Sequence, residues 1–370
     1  MFKTPLLLLV ILLVGLALAS CRAGQGAVPR GWSGGVIDNG ILYIGSMEGK
    51  LIAANTTDGS RLWEVPLEVQ KPTGGGFGCR PTAASIAIYG SPATAGDLVY
   101  VTGYNGKIYA ISASTRLSSG KYLRKDEKAT AQPIIGGPMT AQGKVYIGSS
   151  DGWIYALSGV SLEEEWKFET GDKIWSTPAI DGDTLFIGSF DKKLYALDAA
   201  DGSKKWEFET EGAIAATPLV HDNTVYIGSF DRYLYAVDAT NGSLRWKFMA
   251  ENWFWAKPVV YNGTIYAGNL DGKVYALNAR SGTKLIEFNL GSPVSSSPVL
   301  VGNSVVVATK DGIVYTLDAD SKQQKQLVDL GEKIYASLSA SEGIVYIHTE
   351  KNILYAVDER SGARREFSLK

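Results

Sequence analysis

Six acidic residues stand at matching places along the chain: Glu48, Asp151, Asp191, Asp231, Asp271 and Asp311. From Asp151 onward they recur every 40 residues. A ring of carboxylates at such regularity could hold a cation through oxygen ligands. Each also sits in a short polar turn, as in Asp151-Gly152, Asp271-Gly272 and Asp311-Gly312. There Asp bonds its own backbone and Gly accepts a positive φ, so the hairpin reading is favoured over a metal ring. The two cysteines, Cys21 and Cys79, and the two histidines, His221 and His348, show no ligand spacing. No structural metal and no cofactor are expected from them. The run Gly74-Gly75-Gly76-Phe77-Gly78 could cradle a phosphate, but no helix pattern follows it and the Walker lysine is absent. It reads as a pliable loop that presents one aromatic, Phe77, as a candidate contact.

The first residues carry a different chemistry. "MFKTPLLLLVILLVGLALASC" has one lysine, then an apolar run from Leu6 to Ala19 that ends in Leu18-Ala19-Ser20-Cys21. The run has the length of a secretory segment and is short for a spanning helix. Its end resembles the bacterial lipobox, in which the cysteine takes a diacylglycerol thioether and becomes the new N-terminus. Residues 1–20 are then a lipoprotein signal peptide, 21–30 a linker, and Cys21 a lipid anchor that holds the protein to a membrane surface. With Cys21 lipidated, Cys79 has no intramolecular disulfide partner. The other reading of the segment is an uncleaved membrane anchor. Lys and Arg number 36 against 38 Asp and Glu, with no basic block, so nucleic acid is not an expected partner.

The elements that must position any site follow from self-similarity. The aromatic of "VYIG" recurs at Tyr43, Tyr100, Tyr146, Phe186, Tyr226, Tyr266 and Tyr346, with Val306 in its place once; the spacings are 57, 46, 40, 40, 40, 40 and 40. Eight units therefore fill residues 31–370. Each divides at turn residues into four short strands, A to D. In the fourth unit these are near "STPAI", "TLFIGS", "KLYALDA" and "KKWEFET". Strand C is apolar on both faces and must be covered on both sides. Strand D alternates Trp206 and Phe208 with charge, as a half-exposed strand does. Strand A carries Pro92, Pro138, Pro178, Pro218, Pro258 or Pro298 at a constant place, which marks it as a sheet edge. The predicted fold is all-β: an eight-bladed β-propeller of four-stranded antiparallel blades around a channel.

The pattern "GxVYIGSxDGxLYALDAxTGxxxWxF" resembles the quinoprotein-type propeller repeat, named for pyrroloquinoline quinone (PQQ) dehydrogenases. The match is best between Lys144 and Asn278 and fades in units seven and eight, which lack the strand-D tryptophan found at Trp63, Trp166, Trp206 and Trp246. The resemblance raises a PQQ-dependent dehydrogenase as one hypothesis. That chemistry needs a carboxylate base, a calcium site and basic residues for the quinone. Residues ahead of strand A are mostly Ser, Thr, Gly and Ala; Lys257 is the charged exception and no acid accompanies it. The chain is therefore expected not to be an enzyme and to use no cofactor. A lipid anchor joined to such a propeller is also similar in layout to the propeller lipoprotein of the outer-membrane β-barrel assembly machinery. That resemblance implies an interaction scaffold in the bacterial cell envelope with a protein partner. A cell-surface binder of a small molecule or glycan is the alternative.

A candidate surface comes from the residues three before each strand-A proline position: Trp32, Tyr89, Ile135, Trp175, Ala215, Trp255, Ser295 and Tyr335. Five are aromatic. Trp32, Tyr89, Trp175, Trp255 and Tyr335 are expected either as a binding rim at the channel mouth or as wedges between blades. The extra length between units one and two, which holds Phe77, should overhang the same face.

Overall fold

The computed structural model describes residues 31–68, 86–116, 122–318 and 321–369. Cys21, the leader, Cys79 and the Phe77 loop lie outside them. The described strands form eight separate four-stranded antiparallel sheets, each made of consecutive strands in the order A-B-C-D. Blade 4 is representative: A is Ala179–Asp181, B is Thr184–Gly188, C is Lys193–Asp198 and D is Lys204–Glu209. Strand A is an edge in every sheet, and in blades 2 to 7 it begins directly after its proline. The missing N–H therefore costs the ladder nothing. Among the described residues no helix is long and apolar enough to cross a membrane.

Strand C shows why the blades stack. The four central residues of Lys193–Asp198 are buried, whereas strand D of the same blade alternates exposed and half-buried. The apolar side chains on both faces of B and C meet those of neighbouring blades. One such cluster joins Tyr146, Ile154 and Trp166 of blade 3 to Leu185, Ile187 and Leu197 of blade 4. The repeat tryptophan of strand D works across this boundary. Trp166 Nε1 and Tyr146 Oη both donate to the carbonyl of Ala199 in the next blade, at 3.2 and 2.9 Å. Trp206 does the same to Ala239 at 3.0 Å. The turn that follows the acceptor passes flat over the ring: at Gly202, with φ of 77°, an added Cβ would lie 2.5 Å from Trp166 Cε3. Glycine is needed there on both counts.

The ring closes without exchange of strands, since blade 8 supplies its own strand D, Arg364–Ser368. Blade 8 packs on blade 1 through Tyr346, Leu354, Leu42, Ile44 and Ile52. Hydrogen bonds fasten the seam, among them that from Arg365 Nη1 to Thr57 O at 3.0 Å. Tyr346 Oη donates to Thr56 O at 2.9 Å, Met47 N to Asn352 Oδ1 at 3.0 Å, and His348 Nδ1 lies 3.0 Å from Ser33 O.

Candidate functional site

Four of the hairpin carboxylates, those of Asp151, Asp191, Asp231 and Asp271, are occupied by their own turns. Asp231 Oδ1 accepts the backbone N–H of Tyr233 at 2.9 Å, and Oδ2 accepts Tyr235 Oη at 2.7 Å and Glu211 N at 2.9 Å. Asp151, Asp191 and Asp271 repeat the bond to a strand-C tyrosine at 2.9, 2.7 and 2.6 Å. Burial, with the aspartate beside it, pushes each of these phenols upward. In blade 8 Lys351 stands at the aspartate's place in the hairpin, and Glu332, from the preceding connection, serves instead. It accepts Tyr355 Oη at 3.2 Å, Thr349 Oγ1 at 2.6 Å and the Lys351 ammonium at 3.2 Å. These donors hold its carboxyl below the usual range although burial opposes them. Among the described residues no cluster of His, Cys, Asp and Glu could hold a metal ion.

The D–A connections and the B–C hairpins share one face, because each connection bonds the hairpin beside it, as Phe230 N does to Ala213 O at 2.9 Å. At its centre opens a channel of about 750 Å³. All eight aligned positions line it, Trp32, Tyr89, Trp175, Trp255 and Tyr335 with Ile135, Ala215 and Ser295. The five aromatics are half-buried, so each is both packed and reachable by solvent.

The aromatics fall into two arcs. Trp32 stands between Tyr89 and Tyr335, with ring centres 4.8 and 5.0 Å away, and Tyr89 leads outward to Tyr104 at 5.6 Å. Opposite, Trp175 meets Phe190 at 4.5 Å, Phe190 meets Phe230 at 5.7 Å, and Phe230 stacks on Trp253 at 4.5 Å and Trp255 at 5.5 Å. The Lys173 ammonium lies 5.0 Å from the Trp175 ring centre and 4.6 Å from that of Phe190. Ile135 and Ser295 interrupt the ring between the arcs. Tyr104, Phe190, Phe230 and Trp253 were not singled out by sequence. The first three stand one place before the hairpin Asp or Asn, where "SFD" reads only as part of a turn.

Eight PQQ-like blades around a channel define the class of protein. Residues 131–370 match the family model described as "Beta-alanine-activating enzyme, beta-propeller", and the chain belongs to that β-propeller family. Residues 20–161 match the model described as "Outer membrane protein assembly factor BamB". No curated protein matches the sequence. Among solved structures, BamB from Moraxella catarrhalis superposes with a TM-score of 0.69 at 21% identity, over 91% of this chain and 94% of that one. The computationally designed Ika8 protein superposes with a TM-score of 0.70 at 14% identity, over 92% and 97%. Resemblance of this degree to a natural assembly factor and to a design alike carries the fold, not the task.

Proposed function

We propose that the chain is a non-enzymatic interaction scaffold of the bacterial cell envelope, anchored through a lipid on Cys21, that holds a protein partner in outer-membrane protein assembly. The observation that carries this reading is the pair of aromatic arcs on one face. Apart from the exposed Tyr104, these rings are half-buried, and rigid amphipathic rings are the usual anchors of protein contacts. The match of the N-terminal part to the BamB model gives the envelope role its direction. The channel offers no paired acid and base among its described lining residues, which supports the non-enzymatic reading.

The test is recovery of partners from solubilised membranes by tagged wild-type protein and by the Trp175→Ala and Trp255→Ala variants, with melting measured for each. A docking role loses the partner at least tenfold while the melting temperature stays near wild type. Loss of stability in both variants, with recovery following only the folded fraction, would assign the rings to packing and overturn the reading. A second reading, a receptor for a small molecule or glycan, is favoured by the channel volume, which lies within the range of ligand sites.

A further inference from the structure

Lys257 lines the channel from the position just before the strand-A proline of blade 6. The same position in the other seven blades holds Gly34, Gly137 or a hydroxyl residue, so packing of a blade does not require a lysine there. The hydroxyls join blade to blade. Ser337 Oγ donates to Ser297 Oγ at 3.2 Å, and Ser297 Oγ accepts the backbone N–H of Lys257 at 3.2 Å.

Among the described residues the ammonium has no counter-charge. Lys257 is the one charged residue among the described residues that line the channel, and its Nζ makes no ion pair or hydrogen bond there. Burial alone acts on it and holds the amine below the usual lysine range. An unpaired cation in a partly desolvated channel is costly unless something satisfies it.

We propose that the channel binds a small aromatic monocarboxylate, with Lys257 as its counter-charge, the Ser297 and Ser337 hydroxyls beside it, and Trp255 against its ring. The charge count selects a monoanion: a phosphate dianion would want a second cation or an arginine fork, and the described lining has neither. The aromatic and aliphatic walls select an organic body, and the volume admits one. The site shares Trp255 with the docking face and narrows the small-molecule reading to one ligand class, and Lys257→Met tests it without touching the rings.

Titration calorimetry of the purified full chain at neutral pH, with benzoate and indole-3-acetate as probes and their amides as neutral twins, decides the matter. The expected result is saturable one-to-one binding of at least one acid, at least tenfold tighter than its amide. Lys257→Met should weaken it at least tenfold without lowering the melting temperature. The acid, and not the amide, should also slow modification of Lys257 by trinitrobenzenesulfonate in the wild-type protein, a readout that needs no variant. Absence of saturable binding, equal binding of acid and amide, or unchanged binding by the folded Lys257→Met variant would overturn the proposal.

Discussion

Tyr226 and Trp246 donate to one acceptor, the carbonyl of Ala279 in the next blade, at 3.0 Å each, with their ring centres 5.7 Å apart. The two side chains come from strands B and D of blade 5 and converge on the turn between C and D of blade 6. Trp246→Ala should cost about 3–5 kcal/mol, because it opens a cavity and removes a buried donor. Trp246→Phe keeps most of the volume and should cost less, since Tyr226 still serves the carbonyl. Tyr226→Phe combined with Trp246→Phe should cost more than the two single changes together, because only then is the Ala279 carbonyl left unserved. Urea unfolding of the four variants checks this; strict additivity would mean the shared acceptor does not couple them.

The hairpin aspartates make a prediction about metals. Both oxygens of Asp231 are taken by donors of the protein. The melting temperature should therefore be the same with EDTA and with millimolar Ca²⁺. Asp231→Asn sets an amide NH₂ against one of those donors and should cost about 1–3 kcal/mol. A rise of several degrees with Ca²⁺, lost in Asp231→Asn, would restore the carboxylate ring as a cation site.

Much of the architecture was legible because the repeat exposes it. The 40-residue period, the proline ahead of strand A and the two-faced apolar strand C each correspond to one physical demand of a blade. The two aromatic arcs were legible only in part. Trp32, Tyr89, Trp175, Trp255 and Tyr335 share an aligned position, but Phe190 and Phe230 are turn residues until the fold lays a D–A connection beside their hairpins. Glu332 was not visible either, since it replaces a hairpin aspartate from a different loop. The closure of the ring is hidden for the same reason: His348 and Ser33 meet across 315 positions of sequence. Periodicity reports what each blade repeats and is silent on what one seam does differently.

The anchor can be tested apart from the propeller. Cys21→Ser removes the sulfur on which a thioether would form, so the variant should fail to take up radioactive palmitate and should leave the membrane fraction. Its melting temperature should match that of the wild type, since the blades begin with Gly35. A variant still labelled and still sedimenting with membranes would refute lipidation at Cys21.

The seam between blades 8 and 1 should make stability depend on pH. His348 is fully enclosed; Nδ1 faces Ser33 O at 3.0 Å and Nε2 faces Asn352 Oδ1 at 3.1 Å. Asn352 Oδ1 also accepts Met47 N, so both groups that face the ring are acceptors. They favour an imidazolium, but burial is the larger influence and holds the ring below the usual histidine range. A group whose folded value is depressed binds fewer protons folded than unfolded. Its contribution to stability is whole above the unfolded value of about 6.5 and is lost as the pH falls from there toward the folded value. The melting temperature should thus decline between about pH 7.5 and 5.5, above the range in which most carboxylates titrate. His348→Gln should flatten that slope even if it lowers the midpoint at neutral pH. A decline equally steep in His348→Gln would show that the seam histidine does not carry it.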